Sequence, residues 1–65
     1  MESTIQYNGE TFNLVNFSQD STSFNTNWET TCSEKPVYQV TYSNGNTTII
    51  TFHDASMVEV GRLVI

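Results

Sequence analysis

Apolar and polar residues alternate most clearly in two stretches of this chain, and each stretch is split by Asn-Gly. In the first, Ile5 and Tyr7 precede Asn8-Gly9, and Phe12 and Leu14 follow it. Asn-Gly is favoured in two-residue hairpin turns because both residues tolerate positive φ. A two-residue loop sets Ile5 against Phe12 and Ser3 against Leu14, so Ile5, Tyr7, Phe12 and Leu14 share one face. Register and apolar pattern agree.

The second stretch runs from Val37 to His53. Tyr38, Val40 and Tyr42 alternate with Val37, Gln39 and Thr41, and Thr48, Ile50 and Phe52 alternate after Asn44-Gly45. A two-residue loop would set Val40 against Ile49 and Tyr42 against Thr47. A three-residue loop, Asn44-Gly45-Asn46, sets Val40 against Ile50 and Tyr38 against Phe52. The three-residue register aligns the stronger apolar stripes and is preferred, with Asn46 in the left-handed position it requires.

Between these hairpins, Ser18 to Asn27 is polar and turn-rich, with Phe24 its one aromatic residue. Ordered loops longer than about 12 residues are uncommon, so part of this stretch is expected to form a short or edge strand, anchored by Phe24 and Trp28. Glu29 to Ser33 reads as another short strand, ending at the Glu34-Lys35-Pro36 turn. After Asp54-Ala55-Ser56, the segment from Met57 to Ile65 reads either as two short strands around a tight turn or as one strand with a bulge at Gly61. The sequence therefore predicts an all-β fold: a small antiparallel sheet of five to seven short strands built from hairpins, rolled or closed into a small barrel.

Composition supports that class. The chain has 65 residues, seven Ser, ten Thr and seven Asn, but one Ala and two Leu. The best helix formers are nearly missing, while Thr, Val, Ile, Tyr and Phe suit a pleated, half-buried surface. One domain, residues 1–65, is all this length supports. The chain opens with Met1 and closes on Leu63-Val64-Ile65, as expected of a complete small gene product. No secretory signal stands at the acidic, polar N-terminus, and no apolar run approaches a membrane span, so the expected setting is cytoplasmic, without membrane contact.

Candidate chemistry is sparse. His53, Asp54 and Ser56 are the residue types of a hydrolytic triad, but neighbours on a strand point to opposite faces, and a strand-end turn held by Asp54 or Ser56 is the better reading. Cys32 and His53 would form a nucleophile–base pair only if they met in space; a buried Cys acting as a small hydrophobe is expected instead. One cysteine excludes an intrachain disulfide. Structural zinc needs four Cys/His ligands and calcium needs clustered carboxylates, and neither set is present. The three glycines sit in turn contexts and form no phosphate loop. The sequons at Asn16 and Asn46 are what chance supplies in a chain so rich in Asn, Ser and Thr. The expectation is no catalytic residue, no metal site and no cofactor.

Charge is the strongest functional lead. The net charge is −5, with Lys35 and Arg62 the only basic residues. Glu2, Glu10, Asp20, Glu29 and Glu34 all fall before Lys35. That excludes sequence-independent nucleic-acid binding, which needs many contacts from cations to phosphates. An acidic face instead attracts basic protein surfaces. The expected function is a non-catalytic protein-binding module: an inhibitor or modulator of a larger protein with a basic surface, such as one that handles nucleic acid, of the phage or mobile-element accessory type. The expected contact surface is Tyr7, Glu10, Asp20, Trp28, Glu29 and Glu34, with Tyr7 and Trp28 as aromatic contacts. The alternatives are a homo-oligomeric assembly protein joined through Val58, Val60, Leu63 and Ile65, and a protein that sequesters a small ligand.

Overall fold

The computed structural model describes residues 2–19, 24 and 27–65. Five strands form one antiparallel meander: β1 (Thr4–Tyr7), β2 (Glu10–Ser18), β3 (Tyr38–Ser43), β4 (Thr48–His53) and β5 (Glu59–Val64). The sheet curls into a half-barrel, and the described residues include no α-helix. None is therefore long and apolar enough to cross a membrane.

The first hairpin has the expected register, with Ile5 opposite Phe12 and Tyr7 opposite Glu10. Asn8 and Gly9 both take positive φ, at 51° and 79°. Leu14 N–H donates to the Ser3 carbonyl at 2.9 Å, which extends the ladder as read from the sequence.

The second hairpin differs from both expected registers. Its loop has four residues, 44–47, and it pairs Ser43 with Thr48, Tyr42 with Ile49, Val40 with Thr51, Gln39 with Phe52 and Tyr38 with His53. Two causes are visible. Asn44 Oδ1 accepts from the backbone N–H groups of Asn46 (2.9 Å) and Thr47 (2.7 Å), so its side chain organises a longer loop. In addition, β4 is buried on both faces from Ile49 through Phe52. Such a strand has no single apolar stripe to fix its register. Ile50 and Phe52 therefore face away from Val40 and Tyr42 instead of joining them.

Residues 29–33 do not form the expected strand. Trp28–Thr30 is a 3₁₀ turn capped by Asn27, whose Oδ1 accepts from Glu29 N–H at 3.2 Å. Thr30 and Thr31 hydroxyls donate to the Asn27 carbonyl, both at 3.3 Å, and Thr31 and Cys32 N–H groups return to the Trp28 carbonyl. Local bonds of this kind offer the backbone an alternative to a sheet ladder. The strand expected within 18–27 is not seen among the described residues there: β2 ends at Ser18, and Gln19, Phe24 and Asn27 lie outside any strand.

The C-terminal segment is one strand, and its bulge is offset from the expected position. Phe52 pairs with Gly61 and His53 with Glu59, leaving Val60 as the extra residue. A matching irregularity in β2 leaves Val15 extra between Leu14, opposite Tyr42, and Asn16, opposite Thr41. Bulges bend a strand and increase its twist, and here they lie on two strands of the curled sheet.

The concave face holds Phe12, Val40, Tyr42 and Ile49, with Ile5, Tyr7 and Leu14 packed beside them. On the convex face, the β2–β3 connection lies over β4 and β5. Phe24 meets Phe52 with ring centroids 5.8 Å apart, and Ser33 N–H donates to the Val60 carbonyl at 3.0 Å. Gly61 sits directly under this connection. A Cβ there would fall 2.8 Å from Cys32 Sγ and 2.9 Å from both Cys32 Cα and the Thr31 carbonyl oxygen. Glycine is needed for this close approach.

Candidate functional site

The half-barrel is open along one side. β1 and β5 are the edges of the sheet and do not pair with each other. A groove of about 370 Å³ occupies the concave side, within the range that ligand sites span. Its floor comes from alternate residues of the two central strands, Val40 and Tyr42 on β3 and Thr51 and His53 on β4. Ile5 lines it from β1, and Met57, Glu59 and Arg62 line it from the β5 side. Glu2 stands at its rim, where the Glu2 carbonyl accepts from the Tyr42 hydroxyl at 3.0 Å.

The charges in this groove are organised by the β5 bulge. Glu59 and Arg62 are three residues apart and would face opposite sides of a regular strand. The extra residue Val60 brings both to the concave face. Arg62 donates two hydrogen bonds to the Glu59 carboxylate, Nε to Oε2 at 3.0 Å and Nη2 to Oε1 at 2.9 Å. Those bonds push the guanidinium pKa up, against a smaller opposing effect of burial, and the Glu59 charge and nearby Tyr7 add to the rise. Arg62 is thus neutralised in place, while the Glu2 carboxylate has no cation partner among the described residues.

Two polar groups on the floor are held locally. Thr51 Oγ1 and His53 Nε2 lie 2.8 Å apart, and His53 Nδ1 is buried without a hydrogen-bond partner among the described residues. Burial, and then the Glu2 charge, push the Tyr42 phenol pKa up. The turn beyond β4 is the one expected from Asp54: its Oδ1 accepts from Ser56 N–H (2.8 Å) and Val58 N–H (3.0 Å). Met57 closes that turn at φ 64°, a left-handed conformation that strains a non-glycine residue, and it lies at the groove wall.

The nucleophile–base pair considered above is separated by the sheet itself. His53 is on the concave face, while Cys32 is pressed against Gly61 on the convex face. Burial raises the Cys32 thiol pKa, which suppresses the reactive thiolate. No group of three or more metal-ligating side chains is present among the described residues.

The residues expected to form a contact surface fall in two regions. Tyr7 and Glu10 belong to the first hairpin; Tyr7 packs edge-on against Phe12 with centroids 6.2 Å apart, and Glu10 accepts from Asn44 Nδ2 at 2.8 Å. Trp28, Glu29 and Glu34 belong to the β2–β3 connection, with Trp28 half-buried and both carboxylates exposed. Asp20 lies outside the described residues. Of the apolar C-terminal group, Val58 and Ile65 are exposed and Val60 and Leu63 are half-buried. Ile65 exchanges two backbone hydrogen bonds with Thr48, at 3.0 and 2.8 Å.

Sequence reasoning missed the groove. Thr51 and His53 share a face by simple alternation, which was legible. The Glu59–Arg62 pairing depends on the position of the bulge, which was not. Comparison of the chain with protein-family models, curated proteins and solved structures returns no match.

Proposed function

We propose that this chain is a non-catalytic binding module that docks on a basic surface of a larger protein and inhibits or modulates it. The observation that supports this most directly is the open groove, with the Glu2 carboxylate at its rim unpaired with any cation among the described residues and its one arginine already bonded to Glu59. The charge distribution points the same way: the acidic excess sits in the first 34 residues, and Glu10, Glu29 and Glu34 are exposed. Proteins that handle nucleic acid carry basic surfaces of the kind such a module would cover. Electrostatic attraction would speed the encounter and favour basic partners over others.

A homo-oligomeric reading is favoured by one separate observation, the exposure of Val58, Val64 and Ile65 at and beside the edge strand β5.

The test is native mass spectrometry of the protein alone and after incubation in lysate of its source cells, with a variant carrying Glu2→Gln, Glu10→Gln, Glu29→Gln and Glu34→Gln. A dominant heterocomplex with a basic protein, weakened in the variant, is expected. Equal capture by the variant, or a monomer that acquires no partner, overturns the reading. A homo-oligomer unaffected by the substitutions favours the second one.

A further inference from the structure

Most polar groups lining the concave groove are committed to one another. The Tyr42 hydroxyl donates to the Glu2 carbonyl at 3.0 Å. Thr51 Oγ1 and His53 Nε2 share a hydrogen bond at 2.8 Å. Arg62 and Glu59 are joined by two. The other ring nitrogen of His53 is buried, out of reach of an incoming group. What remains is the Glu2 carboxylate, which has no cation partner among the described residues. Its charge is near enough to the Tyr42 phenol to add to the rise in that group's pKa.

We propose that the groove receives a single lysine side chain of the partner protein, its aliphatic stem against Ile5 and Met57 and its ammonium group at the Glu2 carboxylate. This rests on the binding-module reading and names its anchor. The groove, about 370 Å³, has room for one long side chain and not for a packed helix. Ile5 lines it from β1, and Met57, 42% exposed, lines it from the β5 side.

Charge and shape together select this occupant. Two carboxylates and one guanidinium line the groove, in a chain of net charge −5. Arg62 keeps unused N–H groups, but an anion reaching them would also meet Glu59, which already neutralises that guanidinium. A neutral apolar group would cover the walls and leave Glu2 unpaired. A small polar cation would pair with Glu2 and leave Ile5 and Met57 uncovered. A basic side chain carries both parts, laying its stem along apolar surface while its charged head stays in water. Lysine has the longer stem of the two and ends in a compact charge. Because Glu2 is exposed at the rim, the ammonium group would keep part of its hydration and avoid the cost of a buried ion pair.

The test follows isotope-labelled protein by NMR during titration with N-acetyl-lysine methylamide and with the matching arginine, norleucine and glutamate derivatives. The lysine derivative is expected to shift the Ile5 and Met57 methyl resonances with a dissociation constant of about 1 mM, the scale for a ligand of this size. Norleucine, the same stem without the ammonium group, should bind about threefold more weakly or worse. The glutamate derivative should leave the resonances unchanged. Glu2→Gln keeps the backbone carbonyl that Tyr42 uses. It should weaken lysine binding by about three- to fivefold, the worth of one exposed ion pair, and leave norleucine binding as it was. Glu59→Gln releases Arg62 from its counterion and should admit the glutamate derivative.

Norleucine binding as tight as that of lysine overturns the charge selection. An arginine derivative that binds several-fold tighter overturns the assignment to lysine. Lysine-induced shifts at Glu29 and Glu34 but not at Ile5 and Met57 overturn the groove as the site and leave the acidic-module reading standing. Absence of any shift at tens of millimolar lysine derivative overturns the proposal too. The broader reading is decided separately: lysate capture that survives Glu2→Gln but is lost when Glu10, Glu29 and Glu34 are changed together overturns the groove and keeps the module.

Discussion

The two faces of this sheet are finished differently. Over β4 and β5 the convex face is sealed: Phe24 covers Phe52, Cys32 presses on Gly61, and Ser33 bonds to the edge. The concave face has a core of similar aromatic and aliphatic character, yet it is left open along the line between β1 and β5. The contrast separates two uses of apolar surface in a very small domain. On one side the chain's own connection completes the packing. On the other, curvature alone protects the core, and polar contacts such as Tyr42 to Glu2 take over at the rim.

The strongest way to break the contrast is to unseal the convex face. Gly61→Ala places a methyl group within 2.9 Å of two backbone atoms of the connection, so the whole segment must lift. A loss of about 3 kcal/mol in denaturant unfolding is expected, with a red-shifted Trp28 emission. Adding Cys32→Ala should recover only part of it, because the Thr31 carbonyl and Cys32 Cα stay in place. Full recovery would show that the side chain, not the backbone, sets the approach.

A smaller effect compares one aromatic pair on each face. Phe24→Ala removes the ring over the fully buried Phe52, and Phe17→Ala removes one that stacks on Tyr38 at 5.4 Å but is 39% exposed. Losses of about 2 and about 1 kcal/mol are expected in thermal or chemical unfolding. The reverse order would mean that the open face carries more of the stability than its exposure implies. Tyr42→Phe then isolates the rim contact, with an expected loss of about 1 kcal/mol for one hydrogen bond.

The mildest test uses alkaline pH and touches both faces together. The Cys32 thiol and the Tyr42 phenol both have raised pKa values in the folded chain, chiefly through burial. Each ionises at lower pH when unfolded than when folded. Their contribution is complete below the unfolded values, about 8.5 for a thiol and about 10 for a phenol, and is lost as pH rises through the folded ones. The melting temperature should therefore decline above about pH 8.5. Cys32→Ser should remove the earlier part of the decline and Tyr42→Phe the later part; an unchanged profile in both variants would assign the decline to other groups.

The same contrast explains what the sequence disclosed. The first hairpin was legible because β1 and β2 bury one face at Ile5, Tyr7, Phe12 and Leu14 and leave Thr4, Gln6, Thr11 and Asn13 exposed, so alternation and Asn8-Gly9 agree. The all-β class and the rolled sheet followed from composition and the two hairpins. The second register was not legible, because Ile49 through Phe52 are apolar or buried on both faces and Asn44 adds two residues to an Asn-Gly loop. The 3₁₀ turn at Trp28 was hidden for another reason: Thr30 and Thr31 favour strands as a class but here bond back to Asn27. As for the groove, alternation was enough to pair Thr51 with His53, but the partnership of Glu59 with Arg62 required knowing that Val60 is extra.

Val15 and Val60 act as punctuation in a two-letter code of inside and outside. Before each of them one parity of residue number faces the concave side; after each, the other does. Leu14 and Phe17 share a face for that reason, as do Glu59 and Arg62. Loss of Val60 alone, with every other residue kept, would send Arg62 and Glu59 to opposite sides of the sheet. The groove would then keep one charge of that pair without its counterion, so a single-codon deletion inside β5 would change the charge the groove presents.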